Sequence, residues 1–353
     1  MTLKKKLIAT AVGGTLSLGL GMPSAQASHF YLFPYVVKDT NRTTIVTLIG
    51  DGNPVNAGAS IHLQYWTKST TDANTAACQP SSTAITFTDN DIVTFDTAAL
   101  LGAGPLFGDT TNNAPLGTSI SYAAPRHGYL LAEWLTDFAE AGYWVEIDLA
   151  NGGAHGDKAL RGAVGDSFNI GPGMSTGTVL DAVNTTTSAF NSLHVGDTTS
   201  IGGWSDGFGV VRVAHAVTFW PTSVASTAFT VTPLGTAMNT VENNQSILQV
   251  LNDQDVQGAY DRNENGIDGT VRQTVRCVGR PTAAQLMPGV VSNAAWAATG
   301  GWGFLANLGD GDTNYTEGGT QDLRAAVYQV DTSSAAGAGK FMQNATSITS
   351  LDY

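Results

Sequence analysis

Short segments with alternating apolar and polar side chains recur along the sequence, and turn-forming residues separate them. The clearest segment is 209–220, whose apolar face holds Val211, Val213, His215, Val217 and Phe219. A period of two residues is typical of a half-buried β-strand. Further strands are predicted at 30–37, 43–49, 60–66, 84–88, 92–95, 143–149, 228–232, 270–277 and 325–330.

The residues between these segments favour turns over helices. The chain contains 41 glycines, and 13% of its residues are charged, whereas an amphipathic surface helix needs a charged or polar face. Strands do not alternate with long helical patterns, which argues against a parallel α/β fold. We therefore predict an all-β fold, a β-sandwich or jelly-roll with long loop insertions and little helix.

Three local patterns lead to more detailed predictions. Pro34 cannot donate a backbone hydrogen bond, which predicts an edge strand at 30–37. The turn residues at 89–91 predict that 84–88 and 92–95 form a β-hairpin. The segment 129–141 fits a helix, and the same region also fits a strand from Gly128 to Trp134 followed by a helical turn, because periodicity does not separate the two here.

The first 27 residues have the pattern of a cleavable signal peptide. Three lysines at 4–6 precede an apolar run at 7–20, and Ala25-Gln26-Ala27 follows as a cleavage site. Removing this segment takes away three lysines and no acid, which changes the formal charge from −13 to −16. We expect an exported protein of the periplasm, cell surface or extracellular space, without a transmembrane helix in the mature chain. Its acidity argues against nucleic-acid binding.

The two cysteines, Cys78 and Cys277, predict one disulfide in an oxidising compartment. Such a bond would tie the first third of the chain to the last third. We therefore predict that residues 28–353 form one large sandwich domain with insertions, or two packed subdomains.

The strongest local motif is a calcium-like loop at 261–268 (DRNENGID). Its spacing brings together oxygen ligands of the kind that Ca²⁺ prefers. The predicted ligands are Asp261, Asn263, Asn265, the backbone carbonyl of Ile267, and Asp268. Arg272 stands where an EF-hand places a bidentate Glu, so the loop departs from that family. A second candidate with the same spacing comprises Asp310, Asp312 and Asn314.

Hydrolase motifs are present but lack their expected context. Ser175 lies in a G-x-S-x-G sequence that follows loop residues, whereas a nucleophile elbow follows a buried strand. The sequence Gly165-Asp166-Ser167 has no matching D-x-x-H block around His194 or His215. Glycoside hydrolysis needs two carboxylates that are paired in space, for which Glu133, Glu140 and Glu146 are candidates. We assign no catalytic residue and favour a protein that is not an enzyme.

Exposed tryptophans offer another possible activity. Trp66, Trp204 and Trp302 are candidates for stacking on sugar rings, although tryptophans also pack in sandwich cores. Two of them belong to the repeated words Gly202-Gly203-Trp204 and Gly300-Gly301-Trp302.

The sequence FPYVV at 33–37, followed by TTIVTLI at 43–49, resembles a loose group of exported proteobacterial proteins of unknown function. Their mature chains open with a Phe-Pro-Tyr strand, and RHGY at 126–129 resembles a later strand of that group. The resemblance covers about the first 130 residues. It implies a β-sandwich at the cell surface or in the periplasm, and it implies no activity.

Taken together, these patterns favour a secreted or cell-surface structural or adhesive protein that is non-catalytic, calcium-stabilised and self-assembling. The alternative is a polysaccharide-binding module, and a hydrolase on a β scaffold ranks below both. Expected partners are a second copy of the chain or an extracellular polysaccharide.

Overall fold

The computed structural model describes residues 29–50, 59–87, 92–102, 105–107, 119–134, 139–163, 213–234, 241, 243–251, 258–307, 324–333, 340–344 and 346–348. Within these ranges the chain forms twenty β-strands and three short helices. The prediction of an all-β, sandwich-like fold with little helix is therefore confirmed. No helix in the described ranges is long and apolar enough to cross a membrane.

The first half of the chain forms a ten-stranded antiparallel sheet. Its strands are β1 His29–Lys38, β2 Arg42–Gly50, β3 Ala59–Ser69, β4 Gln79–Phe87, β5 Ile92–Asp96, β6 Pro105–Phe107, β7 Arg126–Trp134, β8 Ala139–Asp148, β9 Gly153–Lys158 and β10 Leu160–Ala163. The order across the sheet is β4-β3-β7-β1-β2-β5-β6. Strand β10 also pairs with β1, and β8 pairs with β2 and β9.

The second half forms two smaller sheets. Its strands are β11 Val213–Phe219, β12 Ala225–Leu234, β13 Gln245–Leu251, β14 Gly258–Asp261, β15 Gly266–Asp268, β16 Gln273–Arg276, β17 Gly301–Asn307, β18 Arg324–Ser333, β19 Lys340–Asn344 and β20 Thr346–Ile348. Strands β12, β18 and β19 form a three-stranded sheet, and the other seven form the second large sheet, in which β17 lies at the centre.

The three-stranded sheet contributes to two hydrophobic cores through alternate residues. Tyr328 of β18 belongs to the core of the ten-stranded sheet, where its ring packs edge-on against Trp144 at 5.3 Å. Its neighbour Val327 belongs to the core of the seven-stranded sheet, with Phe229 and Val231 of β12. The small sheet therefore forms a middle layer between the two large sheets.

The three short helices cover one side of the second core. They are α1 Ala283–Leu286, α2 Pro288–Val291 and α3 Ala294–Thr299. Thr282 and Gln285 form a capping box at α1, and the Asn293 side chain accepts hydrogen bonds from the first turn of α3. Such caps favour a helix even in a turn-rich sequence.

A segment at 277–282, here called the tie segment, connects the layers. Cys277 forms the predicted disulfide with Cys78, with the two Cα atoms 5.9 Å apart. Gly279 forms a β-bridge with Val231 of the middle layer. Just before the segment, the carbonyl of Arg276 accepts a hydrogen bond from Lys68 Nζ of β3 at 3.0 Å. Residues far apart in sequence are therefore held at one place.

Three local predictions have different outcomes. The strand alternative for 129–141 is confirmed in its first half, because β7 runs from Arg126 to Trp134. The edge position predicted for 30–37 is wrong, because β1 pairs with β7 and β10, and Pro34 lies at a register shift between Phe33 and Val36. The predicted hairpin of 84–88 and 92–95 is also wrong. Strand β4 pairs with β3, and β5 pairs with β2 and β6.

Candidate functional site

A row of side chains crosses four strands at one end of the seven-stranded sheet. Thr218 of β11 pairs with Trp302 of β17, Trp302 pairs with Tyr260 of β14, and Tyr260 pairs with Gly266 of β15. The Trp302 and Tyr260 rings lie 4.6 Å apart between centroids, with 31° between their planes. Two rings at this distance and tilt are stacked with an offset, so the Tyr260 ring supports the Trp302 ring from one side.

A groove of about 610 Å³ lies where β11 ends and β17 begins. We call it the aromatic groove. Its lining residues are Thr218, Phe219, Trp220, Pro221, Val224, Arg262, Thr299, Gly301 and Trp302. These residues come from the turn after β11, the turn after β14 and the junction of α3 with β17, so the groove is assembled from three separate parts of the sequence.

Trp220 stands at the edge of the groove with 44% of its surface exposed. It is followed by a tight turn, in which the Pro221 carbonyl accepts hydrogen bonds from the backbone of Val224 and Ala225. Val224 at the same turn is 48% exposed. A second cavity of about 360 Å³ lies beside the first and shares Phe219 and Trp220 with it. Trp220 therefore lines both cavities.

Gly300 allows the turn and the strand to lie this close together. Its φ is +69°, a region that favours glycine. A Cβ atom at this position would lie 2.2 Å from the carbonyl oxygen of Phe219. The second Gly-Gly-Trp tripeptide, at 300–302, thus has a structural role at the groove. Trp204 of the first tripeptide lies outside the described residues.

The predicted calcium loop forms the turn between β14 and β15, next to the groove. Oδ1 of Asp261 accepts hydrogen bonds from the backbone of Asn263 at 2.8 Å and of Asn265 at 2.9 Å. Oδ2 accepts a hydrogen bond from the Asn265 side chain at 2.9 Å. These hydrogen bonds, led by those from Asn265, lower the pKa of Asp261. Asp261 therefore closes the turn that carries Arg262.

The other predicted ligands of this loop are more open. Asn263, Asn265 and Asp268 are exposed, and Ile267 is half-buried. Among the residues that the structure describes, no group of three or more His, Cys, Asp or Glu side chains is placed to hold a metal ion. Calcium at 261–268 stays a prediction. The second candidate, Asp310, Asp312 and Asn314, lies outside the described residues.

Three of the hydrolase candidates, Ser167, Ser175 and His194, lie outside the described residues. The others lie on strands: Glu133 on β7, Glu140 and Glu146 on β8, and His215 on β11. Glu146 is described, and it is 1% exposed on the inner face of β8. Its carboxylate lies 3.1 Å from Arg280 Nη1 of the tie segment and 2.8 Å from His155 Nε2 of β9. Arg280 also donates to the Tyr35 hydroxyl at 3.3 Å.

The charges in this buried cluster stabilise one another. Burial alone would raise the pKa of Glu146, but Arg280 and His155 outweigh it and hold that pKa well below its usual range. Burial, together with the charges of Lys68 and Arg280, lowers the pKa of nearby His127 to about 3. A buried ion pair of this kind joins the ten-stranded sheet to the tie segment, and we assign it a structural role.

Gln329 connects the middle layer with the groove. Its side chain donates a hydrogen bond to the Thr218 carbonyl at 2.7 Å and another to Asp331 Oδ2 at 2.9 Å. Thr227, which lines the second cavity, donates to Asp331 Oδ1. Burial raises the pKa of Asp331, against the lowering effect of the hydrogen bonds from Thr227 and Gln329. These contacts fix β11 and β12 behind the two cavities.

The sequence pointed to one of the groove residues, Trp302. Trp66, a second candidate, is 4% exposed and belongs to the first core. The sequence did not predict the other two as site residues. Trp220 is the last residue of the alternating segment 209–220, and Arg262 lies between two predicted ligands of the calcium-like loop. Pro221 signals the end of β11, because proline cannot continue the strand pairing, and this signal locates the turn without showing that the Trp220 ring is exposed.

No family model, curated protein or solved structure matches this chain in comparisons with known proteins. The resemblance of 33–37 and 126–129 to exported proteobacterial proteins therefore stays a prediction.

Proposed function

We propose that this chain is an exported, non-catalytic protein that binds a polysaccharide in the aromatic groove. The observation that carries the proposal is the pair of tryptophans at the groove, the exposed Trp220 and the Tyr260-backed Trp302. Aromatic rings give a rigid, partly apolar contact surface at low entropic cost, which suits the C–H faces of sugar rings.

The dimensions and the lining of the groove support a sugar ligand. Cavities of about 300 to 1,000 Å³ are typical of small-molecule sites, and both cavities beside Trp220 lie in this range. Threonine and serine hydroxyls line them together with the aromatic rings. Hydroxyls and an arginine supply the polar contacts that would orient a saccharide. Binding of a surface polysaccharide is also one means of adhesion, which was the leading expectation from the sequence.

The proposal is tested by affinity electrophoresis of the mature chain, 28–353, in gels that contain neutral and acidic polysaccharides. We expect retardation in at least one gel, and loss of that retardation in Trp220→Ala and Trp302→Ala. Tyr143→Ala is the matched control, because Tyr143 of β8 is 42% exposed and lies on the other large sheet. Equal mobility in every gel would exclude the groove as a polysaccharide site, as would equal retardation of all variants.

A second candidate function, self-assembly, is supported by strand β4. This strand of nine residues, QPSSTAITF, contains no charged side chain. It lies at the end of the ten-stranded sheet, and in the described part of the chain it pairs with β3 alone. An uncharged edge strand is a template for pairing with another chain.

Light scattering of the mature chain over a range of concentrations tests self-assembly. We expect a mass above that of the monomer, which Ser82→Lys together with Ala84→Lys reduces, because lysines on an edge strand oppose pairing. Asn151→Lys, in an exposed turn, serves as the control for added charge. A monomer mass at all concentrations would exclude this function.

A further inference from the structure

The aromatic groove has a local charge opposite to that of the whole chain. Of the described residues that line it, Arg262 alone carries a charge, and the cavity beyond Trp220 is lined entirely by uncharged side chains. The sequence as a whole has 29 acidic and 16 basic residues. An acidic polymer would be repelled by most of this surface, so one cation at the groove strongly favours that place for an acidic group.

Arg262 is held in place by its turn. Asp261 precedes it and accepts hydrogen bonds from Asn263 and Asn265. The backbone of Asp261 also pairs with that of Asn265 at 3.0 Å, and Glu264 donates to the Asp261 carbonyl at 3.0 Å. These hydrogen bonds fix the backbone of the turn, so that a ligand bound by Arg262 has to order only the arginine side chain.

We infer that the groove selects polysaccharides that contain uronic acid. This inference rests on the proposed polysaccharide function and adds the class of sugar. The guanidinium of Arg262 would donate two parallel hydrogen bonds to the sugar carboxylate, the geometry for which arginine is suited. The pyranose ring would pack against Trp302 or Trp220, which line the same groove as Arg262.

The second cavity indicates that the ligand is a chain of several sugars. It shares Phe219 and Trp220 with the aromatic groove, and the hydroxyl-bearing residues Thr222, Ser226, Thr227 and Thr282 belong to its lining. A chain that crosses Trp220 would place an acidic unit beside Arg262 and its neighbour among these hydroxyls. A single sugar would use one cavity and lose the contacts of the other.

The test compares alginate, polygalacturonate and hyaluronate, each with its carboxyl-reduced form, by calorimetric titration into the mature chain. Carboxyl reduction keeps the backbone and removes the charge. We expect at least one acidic polymer to bind about tenfold more tightly than its reduced form, as one charge-assisted contact allows. Arg262→Gln should remove this preference, and Arg262→Lys should keep part of it.

Arg272→Gln is the matched control, since Arg272 is exposed and lies outside both cavities. If acidic and reduced polymers bind equally and Trp220→Ala abolishes both, the inference about acidic sugars is wrong and the polysaccharide function stands. If neither form of any polymer binds, both are wrong. A preference for acidic polymers that survives in Arg262→Gln would also overturn the inference, because a cation other than Arg262 would then bind the sugar carboxylate.

Discussion

The guanidinium of Arg280 lies 3.1 Å from the carboxylate of Glu146, although the two residues are 134 positions apart in the sequence. Glu146 belongs to the ten-stranded sheet, and Arg280 belongs to the tie segment that also carries the disulfide. The ion pair holds the tie segment to β8, and the Cys78–Cys277 bond holds it to the residue that precedes β4, so the segment is attached to the ten-stranded sheet at two separate places. The stability of the layered fold should therefore depend on both.

Replacement of Glu146 by Gln should destabilise the fold by about 3 kcal/mol, because it leaves a buried arginine without its counter-charge. Urea unfolding measures the loss. Glu264→Gln makes the same chemical change at an exposed turn and should have little effect. The double variant Glu146→Met, Arg280→Met should recover much of the stability, since an apolar pair of similar size removes the uncompensated charge. A double variant as unstable as Glu146→Gln would contradict this explanation.

The stability should fall as the pH decreases below about 6.5. In the unfolded chain His127 takes up a proton near its usual pKa of 6.5, whereas in the folded chain it does so only near pH 3. Between these values the unfolded state binds more protons, so acid favours unfolding. Glu146, with a pKa held below its usual 4.5, adds a further loss below that pH.

Urea midpoints between pH 8 and pH 4 test this dependence. His127→Phe should flatten the curve from pH 6.5 to about 4.5 and leave the steeper loss at lower pH. If the variant follows the same curve as the parent protein, the buried neutral histidine is not the cause of the stability loss between pH 6.5 and about 4.5.

Gly300→Ala should destabilise the fold by about 1 to 3 kcal/mol and weaken polysaccharide binding, because the new methyl group would displace Phe219 and with it Trp220. Thermal unfolding and affinity electrophoresis measure the two effects. Gly152→Ala is a closely matched control. Its φ is +68°, and no atom lies within 4 Å of the added methyl group. Equal effects of the two substitutions would show that backbone strain alone, without the contact to Phe219, accounts for the loss.

The stability of the turn at 261–268 should depend on Asp261 even when no metal is bound. With EDTA present, Asp261→Ala should lower the melting temperature, because the hydrogen bonds from Asn263 and Asn265 are lost. Asp268→Ala, which removes an exposed side chain of the same loop, should hardly change the melting temperature under this condition. A rise in the melting temperature of the parent protein on adding Ca²⁺, absent from both variants, would establish the calcium prediction. No effect of Asp261→Ala would contradict its role in the turn.

Local patterns predicted the strands well, because the side-chain period is a property of each segment. The alternation at 60–66 predicted that Ile61, Leu63 and Tyr65 share one face, and all three are buried in the first core. Which strands pair with each other was predicted less well. Strands β4 and β5 are consecutive in sequence, yet β4 pairs with the preceding β3, and β5 pairs with β6 and with the more distant β2. Pairing depends on contacts over long sequence distances, which the spacing of turn residues does not encode.

The candidate site was only partly predictable for the same reason. Trp302 stood out as a tryptophan after two glycines, but its neighbours Trp220 and Arg262 come from other segments. Arg262 owes its position to Asp261, a residue that the sequence identified for a different role. The pattern at 261–268 predicted a turn rich in oxygen ligands, and the structure uses one of those carboxylates to bind the turn's own amides.

The central claim, that Trp220 and Trp302 bind a polysaccharide, is tested most directly by nuclear magnetic resonance of the tryptophan side chains. The chain has seven tryptophans, and the indole N–H signals are assigned from single Trp→Phe variants. On titration with a polysaccharide that retards the protein, we expect the signals of Trp220 and Trp302 to shift. The signals of Trp66 and Trp144, which are buried and line neither cavity, should stay in place. Unchanged Trp220 and Trp302 signals at saturating polysaccharide would contradict the account.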